Sequence, residues 1–583
     1  MATAITLLLF PLCFLLFSSL LQTTKSLPPR SPIQCSGSSC VLSNAYGRWN
    51  DRIECQVPSV VYPTTEEEII TAVAEAVKNK KKVKVVSAFS HNIPPLSCPP
   101  SVDSVLISIS RYNAGIEIDP VNLTVTVDSG VGLRDLLDQV ESAGLSLVAA
   151  PYWEGVSIGG LLSTGSHGSS WWGRGGSVHD HVVGLSLVVP AGETEQYAKV
   201  LRLWRGDTRF NAALVSVGLL GVISKVTLTL EPRFKRSITN DFRDDATLEE
   251  DFISHAQNHE FADITWYPSQ RKAVYRIDDR VPLNSSGDGI NDFLGFQSTL
   301  IVASTGVRST EKTLEKSRST KGKCTLASTE IAYKRLIGNG LKNNGIAFLG
   351  YPVVGYQGQM QTSGSCLYSS VLNPLSMCPW DPRIKGLFFY ESTAIFPASE
   401  FKNFIIDVKK LRDMNSEKLC GIDTYNGILM RFIKRSDAYL GQTEDSVVVD
   451  FNYFRADNAS TPRLNQDVME EIEQMAFIKY NARPHFGKNR RVAFFGFQYK
   501  YPKWGKFMQV KMQLDPDRVF DSFWLNQVLK SESKSEKEDG CALEGQCICS
   551  ENRHCSPNRG YMCEPGLVYK EARVCRYSDN SAQ

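Results

Sequence analysis

Behind Thr65 and Glu68, which form the Thr-x-x-Glu pattern of a capping box, Ile69, Ile70, Val73, Ala76 and Val77 recur at helical spacing and predict a helix. The basic run Lys78 to Lys84 that follows reads as its solvated end. Val83 to Val86 reads as a short strand running directly into Ser87, Ala88, Phe89, Ser90 and His91. Val105 to Ile109 and Leu123 to Val127 read as further strands, the second alternating Leu123, Val125 and Val127 with threonine, and Leu133 to Val140 as a helix. Val182 to Val189 is a near-continuous apolar strand closed by the turn Pro190 to Gly192, and Val222 to Leu230 alternates up to Glu231 and Pro232. Short strands mixed with short helices make this an α+β chain.

Between these elements lies Gly155 to Gly168, GVSIGGLLSTGSHG, in which five of fourteen residues are glycine and four are serine or threonine. Such a backbone can approach a ligand closely while offering N–H and hydroxyl donors, as a phosphate-bearing cofactor requires. A plain surface loop is the competing reading, and the apolar triplet Ile158, Leu161, Leu162 argues against it. Neither G-x-x-x-x-G-K-[ST] nor a G-x-G-x-x-G between strand and helix occurs, so a P-loop and a dinucleotide-type Rossmann site are unsupported.

The chain's 583 residues exceed one ordinary core and suggest two or three domains. A formal net charge of +2 supplies no field that would draw nucleic acid. The apolar run Ile5 to Leu21, interrupted by Pro11, is short for a membrane span, and residues 1–26 read as a signal peptide. No other stretch is apolar enough for stable membrane insertion. Of 15 cysteines Cys13 would leave with the signal, and the even remainder suits an oxidising compartment. Sequons at Asn122, Asn284 and Asn458 agree with a secreted glycoprotein. Cys35, Cys40 and Cys55 fall in a leading segment, 27–56, which staples either itself or the domain behind it. Residues 531–540 read as a charged linker to a Cys-rich module, 541–583, whose Cys541, Cys547, Cys549, Cys555, Cys563 and Cys575 allow fifteen disulfide pairings; a zinc knuckle is the alternative.

The remaining histidines suggest no metal site. His179 and His181 lack a cysteine or carboxylate cluster of suitable spacing, and between His255 and His259 the position where H-E-x-x-H needs glutamate holds Ala256. All four read as structural.

Six blocks carry a resemblance. Val83 to His91, then GVSIGGLLSTGSHG, then GLLGVISKVTLTLEP (Gly218 to Pro232) resemble the FAD-binding half of the vanillyl-alcohol oxidase flavoprotein family, whose FAD-binding domain is of the PCMH type. Downstream, ARPHFGK (Ala482 to Lys488), YPKWGKF (Tyr501 to Phe507) and LDPDRVFDSFWL (Leu514 to Leu525) are similar to the R-P-H-W-x-K, Y-P-x-W and L-D-P-x-x-x-F pattern of its aldonolactone oxidoreductase branch. The resemblance implies a two-subdomain FAD-binding domain at 57–235 and an α+β substrate-capping domain at 236–530. It implies an FAD grip made by Ser87, Ala88, Phe89, Ser90, His91, Gly159, Gly160, Ser163, Thr164, Gly165, Ser166, His167, Gly168, Gly221, Val222 and Ile223, with main-chain N–H groups of the first turn and of 163–168 wrapping the pyrophosphate and ring.

The implied reaction is oxidation of an aldonolactone such as L-gulono-1,4-lactone by O2 to L-ascorbate and H2O2, with His485, Lys488 and Glu391 as the catalytic residues. A lysine about 4 Å from the charge that develops on the flavin would contribute roughly 4 kcal/mol at an effective dielectric of about 20, or roughly three decades of rate if felt only in the transition state. Glu391, at the end of its strand, would hydrogen-bond substrate hydroxyls. Gly130, in the turn Asp128 to Gly132, would leave a path to the flavin, and the charged stretch Glu311 to Lys323 reads as an exposed helix or loop.

Two departures matter. The glycines before His91 and the serine after it are replaced, which leaves covalent attachment and simple hydrogen bonding both open for this histidine. Phe486 stands where the branch has tryptophan, keeping an aromatic wall but losing an indole N–H. An oxidase of another carbohydrate or alditol, and a non-catalytic extracellular binding protein on the same fold, are the alternative readings.

Overall fold

In this computed structural model the described residues are 31–578, apart from 38, 44–54, 58, 88–93, 102, 292–298, 338–340, 344–345, 348–349, 361–366, 368–374, 379–388, 523 and 527–537. The signal segment, Ala88 to His91 and most of the linker therefore lie outside the described residues.

The capping-box helix forms as Glu66–Lys78. Thr65 Oγ1 accepts the Glu68 N–H at 3.2 Å, but the Glu68 carboxylate accepts from the N–H and hydroxyl of Thr64, at 2.6 and 2.9 Å, so the box closes one residue early. Ile69, Ala72, Val73 and Ala76 bury this helix between two sheets. One is parallel, in the order Ser59–Val61, Val105–Ser108, Val83–Val86; the other is antiparallel, in the order Ala198–Trp204, Val182–Pro190, Val222–Thr229, Thr124–Asp128, Ile116–Asp119. These are the two subdomains of one half. Lys84 is not part of a solvated run: strand alternation turns it inward, where it is 4% exposed beside Gly218 and burial lowers its pKa to about 8.

The second half is built on an eight-stranded antiparallel sheet, in the order Val353–Tyr356, Lys235–Asp244, Lys272–Val281, Asp263–Tyr267, Ile428–Ile433, Ser446–Phe454, Phe389–Pro397, Arg483–Pro484. One face is apolar and packs on the helices Leu248–Asn258 and Ala398–Met414, as in the Phe396 contacts with Phe401 and Phe404, at 5.3 and 4.6 Å between ring centroids. The charged stretch Glu311 to Lys323 is helical and exposed or half-buried, as expected, except at its two ends. It spans the helices Ile301–Lys316 and Thr320–Ile337, and both residues are buried because Lys323 Nζ turns inward to Glu315 (2.9 Å) and Glu311 (3.5 Å).

The final motif of the second half returns to the first. Asp515 accepts the N–H groups of Val519 and Phe520 at 2.7 and 2.8 Å, and Val519 in turn accepts the Val83 N–H at 2.8 Å, so L-D-P-x-x-x-F is a turn that ties the halves together.

Cys35–Cys40 closes a hairpin within the leading segment and Cys55–Cys98 ties that segment to the first subdomain. In the C-terminal module the pairs are Cys541–Cys547, Cys549–Cys563 and Cys555–Cys575. Metal-binding cysteine requires a thiolate, so these bonds leave the zinc reading without thiolate ligands. Among the described residues no helix is long and apolar enough to cross a membrane.

Candidate active site

Strand alternation gives the large sheet a second, polar face. In register, Glu391 lies opposite Asn452 and Thr393 opposite Asp450; Asp450 then pairs Leu429, and Arg431 pairs Asp263, which pairs Arg276. Glu391, Thr393, Asn452, Asp450, Arg431, Asp263 and Arg276 therefore share one side, while their strand neighbours Ala394, Phe451, Val449, Met430 and Ile264 fill the core on the other.

At the centre is the buried carboxylate of Asp450. Its Oδ1 receives Lys488 Nζ at 2.9 Å and the Thr393 hydroxyl, and its Oδ2 receives the Arg431 guanidinium. Burial pushes this carboxyl up, but Arg431, Lys488 and the Thr393 hydroxyl together hold it far below the usual carboxylate range. Two cations around one anion leave a net positive charge at this point of the face. Tyr152, from the first half, donates to Asp263 at 2.5 Å.

The turn that carries Lys488 is strapped to its neighbour strand. Asn489 Nδ2 donates to the carbonyls of Thr393 and His485, at 2.9 and 3.0 Å, and its Oδ1 accepts the Thr393 N–H at 2.9 Å. His485 Nδ1 accepts the Gly487 N–H at 2.8 Å, which assigns the proton of the neutral ring to Nε2. Facing it edge to face, 5.2 Å between centroids, is His167 of the glycine-rich stretch. His167 Nδ1 donates to the Gly168 carbonyl at 2.8 Å, leaving Nε2 as an acceptor that has no partner among the described residues. Burial, then the nearby charge of Arg431 and the His485 ring, keep His167 neutral by lowering its pKa well below the ordinary value.

Other expected residues are distributed unevenly. Gly159 packs on Ser129, where a Cβ would sit 2.9 Å from that of Ser129, and Gly160 lies beside Ser87, so the two expected cofactor segments meet. Ser163 and Thr164 spend their hydroxyls on the Gly159 and Gly160 carbonyls, at 2.7 and 3.0 Å. The wrapping by main-chain donors needs correction. The N–H groups of Thr164, Gly165 and Ser166 are committed to carbonyls of a short helix, Ile158–Ser163, and that of Gly168 to the Gly176 carbonyl, so this stretch meets a cofactor through close approach rather than a row of free donors. Gly221 approaches the Val188 carbonyl closely, Val222 is packed in the core against the capping-box helix, and Ile223 pairs Leu187; only their backbone can serve a ligand.

Gly130 opens no path: a Cβ there would fall 2.1 and 2.3 Å from the carbonyl oxygens of Ile109 and Tyr112, so backbone packing explains the glycine. Phe486 is likewise a packing residue, 4% exposed among Phe497, Tyr501 and Trp524. His179, His181, His255 and His259 each have a polar partner: Ser436 Oγ, the Gly175 carbonyl, the Arg276 carbonyl and the Asp279 carboxylate. Sequence reading missed Asp450 and Arg431. The available signal was a lone charge inside each of two otherwise apolar or aromatic strands, VVVDFNYF and ILMRFI.

An FAD binding domain model matches residues 57–197, a D-arabinono-1,4-lactone oxidase model 388–528, and an L-gulonolactone oxidase 2-like C-terminal domain model 538–577. L-gulonolactone oxidase 3 of Arabidopsis thaliana is 61% identical over 559 residues, covering 95% of each chain. The chain belongs to the L-gulonolactone oxidase family. Probable L-gulonolactone oxidase 6 of the same plant is 45% identical, covering 97% of this chain and 94% of its own. A solvent-stable cholesterol oxidase shares the fold at 18% identity, with TM-score 0.63 over 86% of this chain and 100% of its own. As a member of the L-gulonolactone oxidase family the protein is an FAD-dependent oxidase of the aldonolactone class. Its residues fit the flavin: the Gly159–Gly160 step lies against Ser87, and the buried His167 Nε2 and Ser129 Oγ have no partner among the described residues, as expected of polar atoms that serve a ligand.

Proposed function

We propose that the protein oxidises L-gulono-1,4-lactone, or a close aldonolactone, to L-ascorbate, with O2 as acceptor and H2O2 as the second product. The observation that carries this reading is the Arg431–Asp450–Lys488 cluster, set beside His485 and Glu391 on a polar face that meets His167 of the glycine-rich stretch. Bound FAD supplies the acceptor for the two electrons and the carbinol hydrogen. The chain's own residues do the rest. Glu391 and Asn452 offer hydrogen-bonding groups for the lactone's hydroxyls, and the net positive charge around Asp450 stabilises negative charge as it develops. His485 presents a protonated Nε2 and His167 a bare one, so the facing rings offer one donor and one acceptor. Ser87, Gly159, Gly160 and the segment 163–168 grip the cofactor at close range.

Anoxic mixing with L-gulono-1,4-lactone is expected to bleach the visible flavin absorption, and admission of air to restore it with stoichiometric peroxide. Bleaching by free sugars or alditols but not by aldonolactones would overturn the substrate; failure to recover in air would overturn the acceptor.

We also infer passage through the secretory pathway. Asn122, Asn284 and Asn458 are all exposed, and the disulfides at both ends of the chain need an oxidising compartment. A downward mass shift on treating the plant-expressed protein with an N-glycan-removing enzyme is expected; an unchanged mass would sink the glycosylation.

A further inference from the structure

The structure places the C-terminal module behind the active site. It is docked along the helix Gln466–Gln474, every residue of which is buried. Glu471 accepts three module N–H groups, from Leu567, Val568 and Tyr569, at 2.7, 2.6 and 2.8 Å, and Glu470 accepts the Cys575 N–H at 2.6 Å. Gln474 exchanges two hydrogen bonds with the Arg573 backbone, at 2.7 and 2.9 Å.

One part of the module reaches further. The loop closed by Cys541–Cys547 puts Gly545 flat against Arg490: at φ +67°, a Cβ on Gly545 would lie 2.7 Å from Arg490 Nε and 2.8 Å from its Cζ. The same loop accepts the Val492 N–H on the Gly545 carbonyl at 3.2 Å, and Glu544 receives the Tyr390 hydroxyl. Arg490, its side chain 1% exposed, forms a forked ion pair with Glu473, which is 2% exposed. Glu473 accepts the Ser392 hydroxyl at 2.6 Å. Ser392 lies between Glu391 and Thr393, while Arg490 is two residues beyond Lys488 in the turn that Asn489 straps to Thr393. Both segments that bear the proposed catalytic residues are thus backed by one chain of contacts that ends in the module.

We infer that the Cys541–Cys547 loop is a positioning element for the active site, acting through Gly545, Arg490, Glu473 and Ser392 on the turn 485–490 and the strand Phe389–Pro397. The inference rests on the catalytic reading of Lys488 and Glu391 given above. Its physical basis is that a guanidinium–carboxylate fork has a fixed geometry, and that burying it between module and sheet removes the solvent that would otherwise let it rearrange. A displacement of about 1 Å at a reacting group can cost on the order of a hundredfold in rate.

The test is a matched pair of glycine replacements in the full-length flavoprotein. Gly545→Ala places a methyl on Arg490. Gly560→Ala creates the same left-handed strain, at φ +79°, against the Tyr577 ring on the module's other side and touches no part of the relay. Gly545→Ala is expected to lower kcat per bound flavin at least about tenfold with KM changed by less than about twofold, whereas Gly560→Ala stays within about twofold in both. In parallel, amide hydrogen exchange in 485–492 is expected to quicken in Gly545→Ala only. A merely structural module would lower stability and yield in both variants and leave kcat per flavin alone. Equal behaviour of the two variants, in rate and in exchange, would overturn the proposal. Should the parent prove inert toward the lactone, the functional reading falls while the exchange comparison still decides this one.

Discussion

Replacing Lys488 with Ala is expected to lower kcat by roughly two to three orders of magnitude while flavin content and KM for the lactone stay near those of the parent. The upper figure is that of a lone ammonium acting on a developing charge in a site of intermediate dielectric. The structure lowers it, because Lys488 Nζ is 2.9 Å from Asp450 and part of its field is cancelled by that carboxylate. The cancellation is incomplete, since Asp450 is shared with Arg431. The lysine side chain also retains 28% of its exposure, and water screens a further part. Single-turnover reduction by the lactone under anoxia isolates the step in which this charge acts, so the loss is expected there and not in reoxidation. Lys488→Arg keeps the charge but brings a planar fork to a site built for a point donor, and is expected to recover only part of the rate. A rate of reduction in Lys488→Ala equal to the parent's would remove the lysine from the mechanism.

Much of the first half was legible because its determinants are local. Thr65, Glu68 and the apolar spacing from Ile69 to Val77 fix a helix within a single segment, and Val182 to Val189 can hardly be anything but a buried strand. Motif order from Val83 to Leu525 then carried the family. What escaped reading depends on partners far along the chain. Lys84 looks like the last of a basic run until its strand is set at the edge of the parallel sheet and its side chain is buried. Glu311 and Lys323 look solvated until two helices fold against each other. Arg431 and Asp450 are 19 residues apart, and only the register of Ile428–Ile433 on Ser446–Phe454 makes them partners. The Cys-rich module was visible as a disulfide unit, but its docking depends on Glu470, Glu471 and Gln474, which in sequence are an ordinary charged helix face.

Asp450 should prove the least replaceable residue of the site. Asp450→Asn keeps the shape but leaves Arg431 and Lys488 as like charges around a neutral amide, and breaking a buried pair in this way is expected to cost about 3–5 kcal/mol of stability. The pH dependence distinguishes this from simple misfitting. The folded carboxyl is held far below the usual range by Arg431, Lys488 and Thr393 against the upward push of burial. A depressed folded pKa gives stability that is fully present above the unfolded value of about 4 and is lost as pH falls through the folded value. The gap in unfolding free energy between parent and Asp450→Asn is therefore expected to be constant from neutral pH down to about 5 and to narrow only in more acid solution. Adding Lys488→Met to Asp450→Asn removes one of the two unpaired cations, so the double variant is expected to be more stable than the sum of the single losses, with a coupling of about 1–3 kcal/mol. Strict additivity in denaturant titrations would mean that Lys488 does not draw its position from Asp450.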